Sequence, residues 1–111
     1  MKLKKKTLSC GGGGMIKVEI SQHNERIEKL LEDFYEYIVS RKYSRVTAQN
    51  YRRFVRVCIN AGCRNTNDIS YKLSRYSYDF KIAAKVAFRK FEEFLNHIGI
   101  SIEEVLAWRN S

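Results

Sequence analysis

Lysine and arginine side chains dominate the middle of the chain, between Arg41 and Lys90. This segment holds thirteen of them against two acidic residues, Asp68 and Asp79. The preceding segment, residues 25–36, has the opposite character, with five acidic residues and two basic ones. Cations without carboxylate partners are typical of surfaces that neutralise phosphates and release condensed counterions. The distribution therefore predicts that the basic half of this chain, whose formal net charge is +9, binds nucleic acid.

Basic and amide side chains recur at spacings of three, four and seven residues, which places them on single faces of predicted helices. The first set is Arg45, Gln49, Arg52, Arg53, Arg56 and Asn60, and the second is Lys81, Lys85 and Arg89. A merely solvated surface is the alternative explanation. However, Arg45 and Lys81 lie in first helical turns, where positive charge opposes the helix dipole at a cost of about 0.3–1 kcal/mol each. Because an external polyanion would relieve that repulsion, both faces are predicted to contact phosphates.

Other kinds of chemistry have weaker support in the sequence. The three cysteines, Cys10, Cys58 and Cys63, form no CxxC motif, and both histidines lie far from them. We interpret them as small buried thiols, with a Cys58 to Cys63 pair or a metal ligand as the alternative, and we expect no metal and no cofactor. Stacking on single-stranded bases is a further alternative. Most aromatic residues have a structural explanation, which leaves Tyr43, Tyr71, Tyr76 and Tyr78 as those whose hydroxyls could meet a phosphate.

The elements that would position these faces follow from the apolar periodicity. A first helix from Asn24 onward is predicted by residues at i, i+3, i+4, i+7 and i+11. These are Ile27, Leu30, Leu31, Phe34 and Ile38. After a break at Lys42 and Tyr43, Ser44 is the predicted N-cap of a second helix, which Gly62 ends. The apolar stripe of this helix is Tyr51, Phe54, Val55 and Cys58.

Three further helices are predicted in the second half of the chain. After a polar link at residues 64–67, the spacing of Ile69, Leu73 and Tyr76 indicates a short third helix. A central, most buried fourth helix, ended by Gly99, is predicted by Phe80, Ala84, Ala87, Phe88, Phe91, Phe94, Leu95 and Ile98. Ser101 and Glu104 form a capping box for a last helix, whose apolar residues are Ile102, Val105, Leu106 and Trp108. The predicted fold is a compact all-α bundle of four to five helices.

The predicted domain organisation is a flexible arm of residues 1–20 followed by a helical DNA-binding domain of residues 21–111. The arm combines a basic cluster with a run of four glycines, and its residues 16–20 alternate as in a short strand. No segment of the sequence has the roughly 20 apolar residues of a membrane span, and no apolar signal core follows the basic start. We therefore expect no membrane partner and a cytoplasmic protein that is nucleoid-associated when bound to DNA.

Two segments within residues 27–99 contain a recognisable ordered pattern. They are EDFYEYIVSRKYSRVTAQNYRRFVRVCINAG and YDFKIAAKVAFRKFEEFLNHIGI. The pattern consists of Phe34, Tyr37 and Ile38, then Tyr43, Ser44, Thr47 and Tyr51, then the run RKFEEFL at residues 89–95. In this order the features resemble the N-terminal SAM-like core-binding domain of tyrosine recombinases, the phage-integrase family. The resemblance implies a helical domain that lies on one face of duplex DNA, while a separate catalytic domain grips the other.

By this resemblance the second and fourth helices would approach the major groove. The residues predicted to contact DNA are Lys42, Ser44, Arg45, Thr47, Gln49, Arg52, Arg53, Arg56, Lys81, Lys85 and Arg89. Ser44 also has a structural explanation, because an N-cap contributes about 1 kcal/mol to its helix without DNA. With only two histidines in the chain, the Arg-His-Arg set and nucleophilic Tyr that strand transfer requires in that family are not recognisable, so no enzymatic activity is expected.

The function predicted from the sequence is double-stranded DNA binding without catalysis, by part of an integrase or by a free-standing relative of one. The expected partners are duplex DNA and, by the resemblance, a recombinase catalytic domain or further copies of the chain. No small-molecule substrate is expected. One alternative is a helical protein-interaction module with a basic docking surface. The other, a chain that itself cuts or joins DNA, would require a nucleophile among the seven tyrosines.

Overall fold

A computed structural model describes residues 25–109 of the chain. Within them the helices are α1 (Glu25–Ser40), α2 (Arg45–Ala61), α3 (Thr66–Lys72), α4 (Tyr78–Ile98) and α5 (Ile102–Arg109). This part of the chain contains no strand. The prediction of a compact all-α bundle is confirmed, with five helices. The predicted arm of residues 1–20, including its short strand, lies outside the described residues.

The first helix buries one face and exposes an acidic one. All five residues of its predicted stripe are buried, namely Ile27, Leu30, Leu31, Phe34 and Ile38. Glu25 and Glu28 lie in its first turn, where negative charge interacts favourably with the helix dipole. Because the apolar residues are confined to one face, the acids of α1 are left at the surface beside the next helix.

The boundaries of α2 follow the predicted local signals. The Ser44 side chain accepts a hydrogen bond from the Thr47 backbone N–H at 3.1 Å, as an N-cap does. Gly62 ends the helix with a φ of 80°, a left-handed conformation that carries no Cβ penalty in glycine. In the turn before the cap, Lys42 has a φ of 75°, which is strained for a residue with a Cβ atom. The predicted break between α1 and α2 is therefore confirmed.

The third helix differs from its prediction at both ends. It begins at Thr66, since the Asn65 side chain accepts a hydrogen bond from the Asp68 backbone N–H at 3.0 Å and serves as the N-cap. It ends at Lys72, so Tyr76 lies beyond it in the connection to α4. The assignment of Tyr76 to this helix was wrong, because its ring instead stacks on Phe80, with the ring centroids 4.4 Å apart.

The fourth helix is the central one, as predicted. Its buried residues are Ala84, Ala87, Phe88, Phe91, Phe94 and Leu95. The Phe91 ring meets Phe34 of α1 edge-on, with the centroids 5.2 Å apart. Ile98 was predicted to be buried but is 41% exposed. Since residues 96–99 are all exposed, the buried side of α4 ends at Leu95.

The core consists of two clusters. The larger one joins α1, α2, α4 and α5 around Phe34 and Phe91. The smaller one joins the end of α2 to α3 and α4 through Cys58, Cys63, Ile69, Leu73, Ala84 and Phe88. The predicted capping box of α5 is confirmed, because the Ser101 N–H donates to Glu104 Oε1 and the Glu104 N–H donates to Ser101 Oγ. Within this core α2 packs against α1 and α4, and α5 also contacts it.

Candidate nucleic-acid interface

The outer surface of α2 displays the predicted basic residues. The helix buries Ala48, Val55, Cys58 and Ile59 on its inner side. Away from that side, Arg45, Gln49 and Arg53 are exposed and Arg52 is half-buried. We use the name α2 face for Lys42, Arg45, Gln49, Arg52 and Arg53 together. The amphipathic pattern that buries α2 thus also gathers these side chains on one surface.

Tyr35 of α1 supports two of the arginines. Arg45 Nη1 donates a hydrogen bond to the Tyr35 hydroxyl at 3.4 Å, and this bond raises the pKa of the Arg45 guanidinium. The Arg52 guanidinium lies over the Tyr35 ring, 4.9 Å from its centroid. Because a phenol is a neutral partner, these contacts orient the two guanidinium groups and leave their charges available to an anion.

The other partners within the α2 face are also neutral. Arg52 Nη2 donates to Gln49 Oε1 at 2.7 Å, and Arg53 Nη2 donates to Asn50 Oδ1 at 3.3 Å. Lys42 is exposed at the turn that precedes the helix. No carboxylate within residues 25–109 forms an ion pair with Lys42, Arg45, Arg52 or Arg53. Within this part of the chain no carboxylate therefore pairs with these four cations, although the Glu36 carboxylate of α1 attracts Arg45 and helps to raise the pKa of its guanidinium.

Arg56 is different, because a carboxylate of α1 pairs with it. Arg56 Nη2 donates to Glu28 Oε1 at 2.6 Å and Arg56 Nε donates to Glu28 Oε2 at 2.9 Å. This hydrogen-bonded pairing raises the pKa of the Arg56 guanidinium. The expectation that the basic face lacks carboxylate partners was wrong at this position. The acid responsible lies 28 residues earlier in the sequence and approaches Arg56 only when α1 packs beside α2.

Ser44 and Thr47 both participate in the cap of α2. Besides accepting the Thr47 N–H, the Ser44 hydroxyl donates to Thr47 Oγ1 at 3.0 Å. Both hydroxyls still lie at the helix N-terminus, where the first backbone N–H groups and the dipole favour an anion. The structure thus places these two predicted residues at the end of the α2 face, next to Lys42 and Arg45.

The predicted row on α4, which we name the α4 row, is Lys81, Lys85 and Arg89. Within residues 25–109 these side chains form no hydrogen bond and no ion pair, and Arg89 is exposed while the two lysines are half-buried. Lys81 and Lys85 precede Phe88 by seven and three residues, so they lie on its side of the helix. Phe88 belongs to the cluster that also contains Ile69 and Leu73 of α3, against which Phe54 and Val57 of α2 pack. No described hydrogen bond or ion pair joins the α4 row to the α2 face.

Two neighbours of these cations were missed by sequence reasoning. Tyr35 lies beside the apolar stripe of α1, and an aromatic residue on an otherwise acidic surface was the only signal that could have identified it.

Lys90 lies 5.4 Å from the centroid of the Tyr43 ring, and a hydrogen bond with Tyr43 raises the pKa of its ammonium group. Its Nζ is also 3.7 Å from Glu93 Oε2. Lys90 is therefore partly compensated, and so is Arg89 of the α4 row, whose charge attracts the Glu92 carboxylate.

Side chains suited to other chemistry are separate from these surfaces. Cys58 and Cys63 are free and buried, and a hydrogen bond with Cys63, together with burial, raises the pKa of the Cys58 thiol. The described residues contain no group of three metal-ligating side chains. None of the five helices combines the length and the apolar character that crossing a membrane requires.

Comparison of the chain with models of protein families, with curated proteins and with solved structures finds no match.

Proposed function

We propose that the chain binds double-stranded DNA through the α2 face and has no catalytic activity of its own. The observation that carries the proposal is the kind of partner that each arginine of the α2 face has. Arg45, Arg52 and Arg53 are held by phenol and amide partners, so they are oriented without being neutralised. Several such cations favour the binding of a phosphate backbone, because each contact with a phosphate releases condensed counterions. The resemblance to a tyrosine recombinase core-binding domain supports the α2 part of this surface and also implies contacts from α4.

The geometry of the α2 face suits backbone contact better than base recognition. Its cations extend from the turn at Lys42 to Arg53, and the N-terminal N–H groups of α2 lie between them as further phosphate donors. If Lys42, Arg45, Arg52 and Arg53 each neutralise one phosphate, log K should fall against log salt with a slope of about −3 to −4. Such binding is steep in salt and nearly independent of DNA sequence.

A titration of labelled duplex at several salt concentrations tests this proposal. Replacing Arg52 and Arg53 together by alanine should weaken binding to unrelated duplexes equally and flatten the salt slope by about two. Lys29→Ala is the control, because Lys29 pairs with Asp33 on the acidic surface of α1, and it should leave the slope unchanged. Thermal melting would verify that each variant is folded. Wild-type binding that is absent at about 50 mM salt, or that does not weaken as salt rises, would contradict the proposal.

One observation favours the alternative, a protein-interaction module. Beside the α4 row, Tyr78, Ile82 and Val86 recur every four residues and are 74%, 43% and 40% exposed. Exposed apolar residues aligned on one helix are typical of a surface that another protein covers. Replacing Ile82 and Val86 by serine separates the two functions. If the chain binds DNA through the α2 face, this variant should bind duplex as the wild type does. If the wild type binds no duplex and the variant loses association with a protein partner, the alternative is supported.

A further inference from the structure

A cleft opens beside the C-terminal half of α2, where the connection from α3 to α4 crosses it. Its volume is about 350 Å³. Val57 and Leu73 contribute apolar wall, and the ring of Tyr76, fixed by stacking on Phe80, closes one end. The polar groups at the cleft are those of Asn60, Lys72 and Arg75 in addition to the Tyr76 hydroxyl. Two cations therefore share an open concavity with the amide of Asn60.

An acid outside the cleft partly compensates one of its two cations, because the Asp68 carboxylate of α3 attracts Lys72. None of the residues that line it is acidic. Arg75 is exposed, and its side chain makes no hydrogen bond or ion pair within residues 25–109. Lys72 Nζ donates to the Gly62 carbonyl oxygen at 3.3 Å, a contact that also stabilises the negative end of the α2 dipole. Lys72 thus has a structural role in addition to its place in the cleft, whereas no contact explains Arg75.

The cleft continues the α2 face. Asn60 follows Arg53 by seven residues, so both lie on one side of the helix, about 10 Å apart along its axis. Asn60 is exposed and lines the cleft. A chain of phosphates that contacts Arg45 and Arg53 along α2 would therefore reach the cleft at the end of the helix.

We infer that this cleft binds a backbone phosphate of the same DNA, with the Arg75 guanidinium as its principal donor and Lys72 and Asn60 beside it. The inference rests on the proposed function. It extends the DNA-contacting surface to Lys72 and Arg75, which the periodicity of α2 and α4 does not include. Arg75 becomes a DNA-binding residue although it lies in a connection and not in a helix.

The test is duplex binding by the full chain with Arg75→Ala and Arg75→Lys. Loss of one phosphate contact should weaken binding roughly five- to tenfold near 0.1 M salt and flatten the salt slope by about 0.9. Arg75→Lys should restore most of the slope, because it keeps the charge. Lys29→Ala, which also removes one positive charge, controls for the net charge of the chain and should leave the slope unchanged.

A titration of the wild type with inorganic phosphate provides a second readout. In NMR spectra, the backbone amides of residues 72–76 and the side-chain amide of Asn60 should shift, and Arg75→Ala should abolish those shifts. If Arg75→Ala binds duplex as the wild type does, while the Arg52 and Arg53 double variant binds weakly, the cleft inference fails and the proposed function stands. If the wild type does not bind duplex at all, both fail.

Discussion

At the scale of single residues, the pair formed by Arg56 and Glu28 separates cations that are available to a ligand from cations that are not. The two side chains are 37% and 46% exposed, so solvent screens their attraction. An ion pair of this kind contributes about 0–1 kcal/mol to stability. Its larger effect is on binding, since a phosphate that approached Arg56 would have to displace Glu28 or accept its repulsion.

Arg56→Ala and Arg53→Ala should therefore differ in their effect on DNA binding. The two arginines lie one turn apart, but Arg53 has only the Asn50 amide as a partner. Arg53→Ala should flatten the salt slope by about 0.9, while Arg56→Ala should change it by much less. Salt titrations of the two variants, measured side by side, check the difference. Equal losses would show that the Glu28 pair opens when DNA binds.

Glu28→Gln is the reciprocal experiment. It removes the charge that neutralises Arg56 and nearly preserves the shape of the side chain. Duplex affinity should rise, and the salt slope should become steeper by about 0.9, because one more cation is free to meet a phosphate. Stability should fall by less than about 1 kcal/mol, given the exposure of the pair. An affinity equal to that of the wild type would place Arg56 outside the DNA-binding surface.

Asp68 is the second residue with a defined electrostatic role. The Arg64 backbone N–H donates to its carboxylate at 2.9 Å and the Arg64 guanidinium at 3.3 Å, and both lower the pKa of Asp68 below its ordinary value of 3.8. A carboxyl group with a lowered folded-state pKa stabilises the protein above its unfolded pKa, and the stabilisation is lost as pH falls through the folded pKa.

Asp68→Asn should therefore be less stable than the wild type at neutral pH. The difference in unfolding free energy should shrink as pH falls below about 4, because the wild-type carboxyl group then becomes protonated and neutral. Urea unfolding of both proteins at a series of pH values would measure this difference. A difference that stays constant between pH 7 and pH 3 would mean that the charge of Asp68 does not contribute.

At the scale of the helices, the packing of α4 against α1 sustains the fold that displays the α2 face. Phe91 is fully buried, and it contacts Phe34 edge-on. Phe91→Ala should lower the unfolding free energy by about 3–5 kcal/mol, since it removes apolar contacts and leaves a cavity. Ile98→Ala is the matched control on the same helix and should cost about 0.5 kcal/mol or less, because Ile98 lies past the core. Denaturant unfolding of both variants gives the comparison.

The helices were predictable wherever a local signal specifies them. The stripe from Ile27 to Ile38, the Ser44 cap, the two left-handed glycines and the capping box of α5 each depend on residues within one or two turns of each other. The end of α3 and the exposure of Ile98 were not predictable, because both depend on which other element packs nearby. Tyr76 shows this most clearly, since its helical spacing from Leu73 is real but Phe80 provides a better packing partner.

At the scale of the whole molecule, the contrast between acidic α1 and basic α2 becomes a contact between neighbours. The sequence predicted which cations share a face of α2, because helical spacing determines that. It did not predict that Glu28 would form an ion pair with Arg56, or that Tyr35 would contact two other arginines, since those contacts join different helices. The predicted DNA-contacting residues thus form two sets, one on α2 and one on α4, which no described hydrogen bond or ion pair joins.

These two sets give the last prediction, which concerns the extent of the DNA footprint. If duplex contacts the α2 face and the cleft at Arg75 alone, the salt slope should be about −4 to −5, and if the α4 row also contacts it, the slope should be about −7. Replacing Lys81, Lys85 and Arg89 together by alanine should leave the first slope unchanged but make the second less steep by almost three units. Because phenol and amide partners orient the arginines of the α2 face, whereas the α4 row has no such partners within the described residues, we expect the smaller slope and little effect of the triple variant. A loss of nearly three units would instead show that DNA contacts α4 as well as α2.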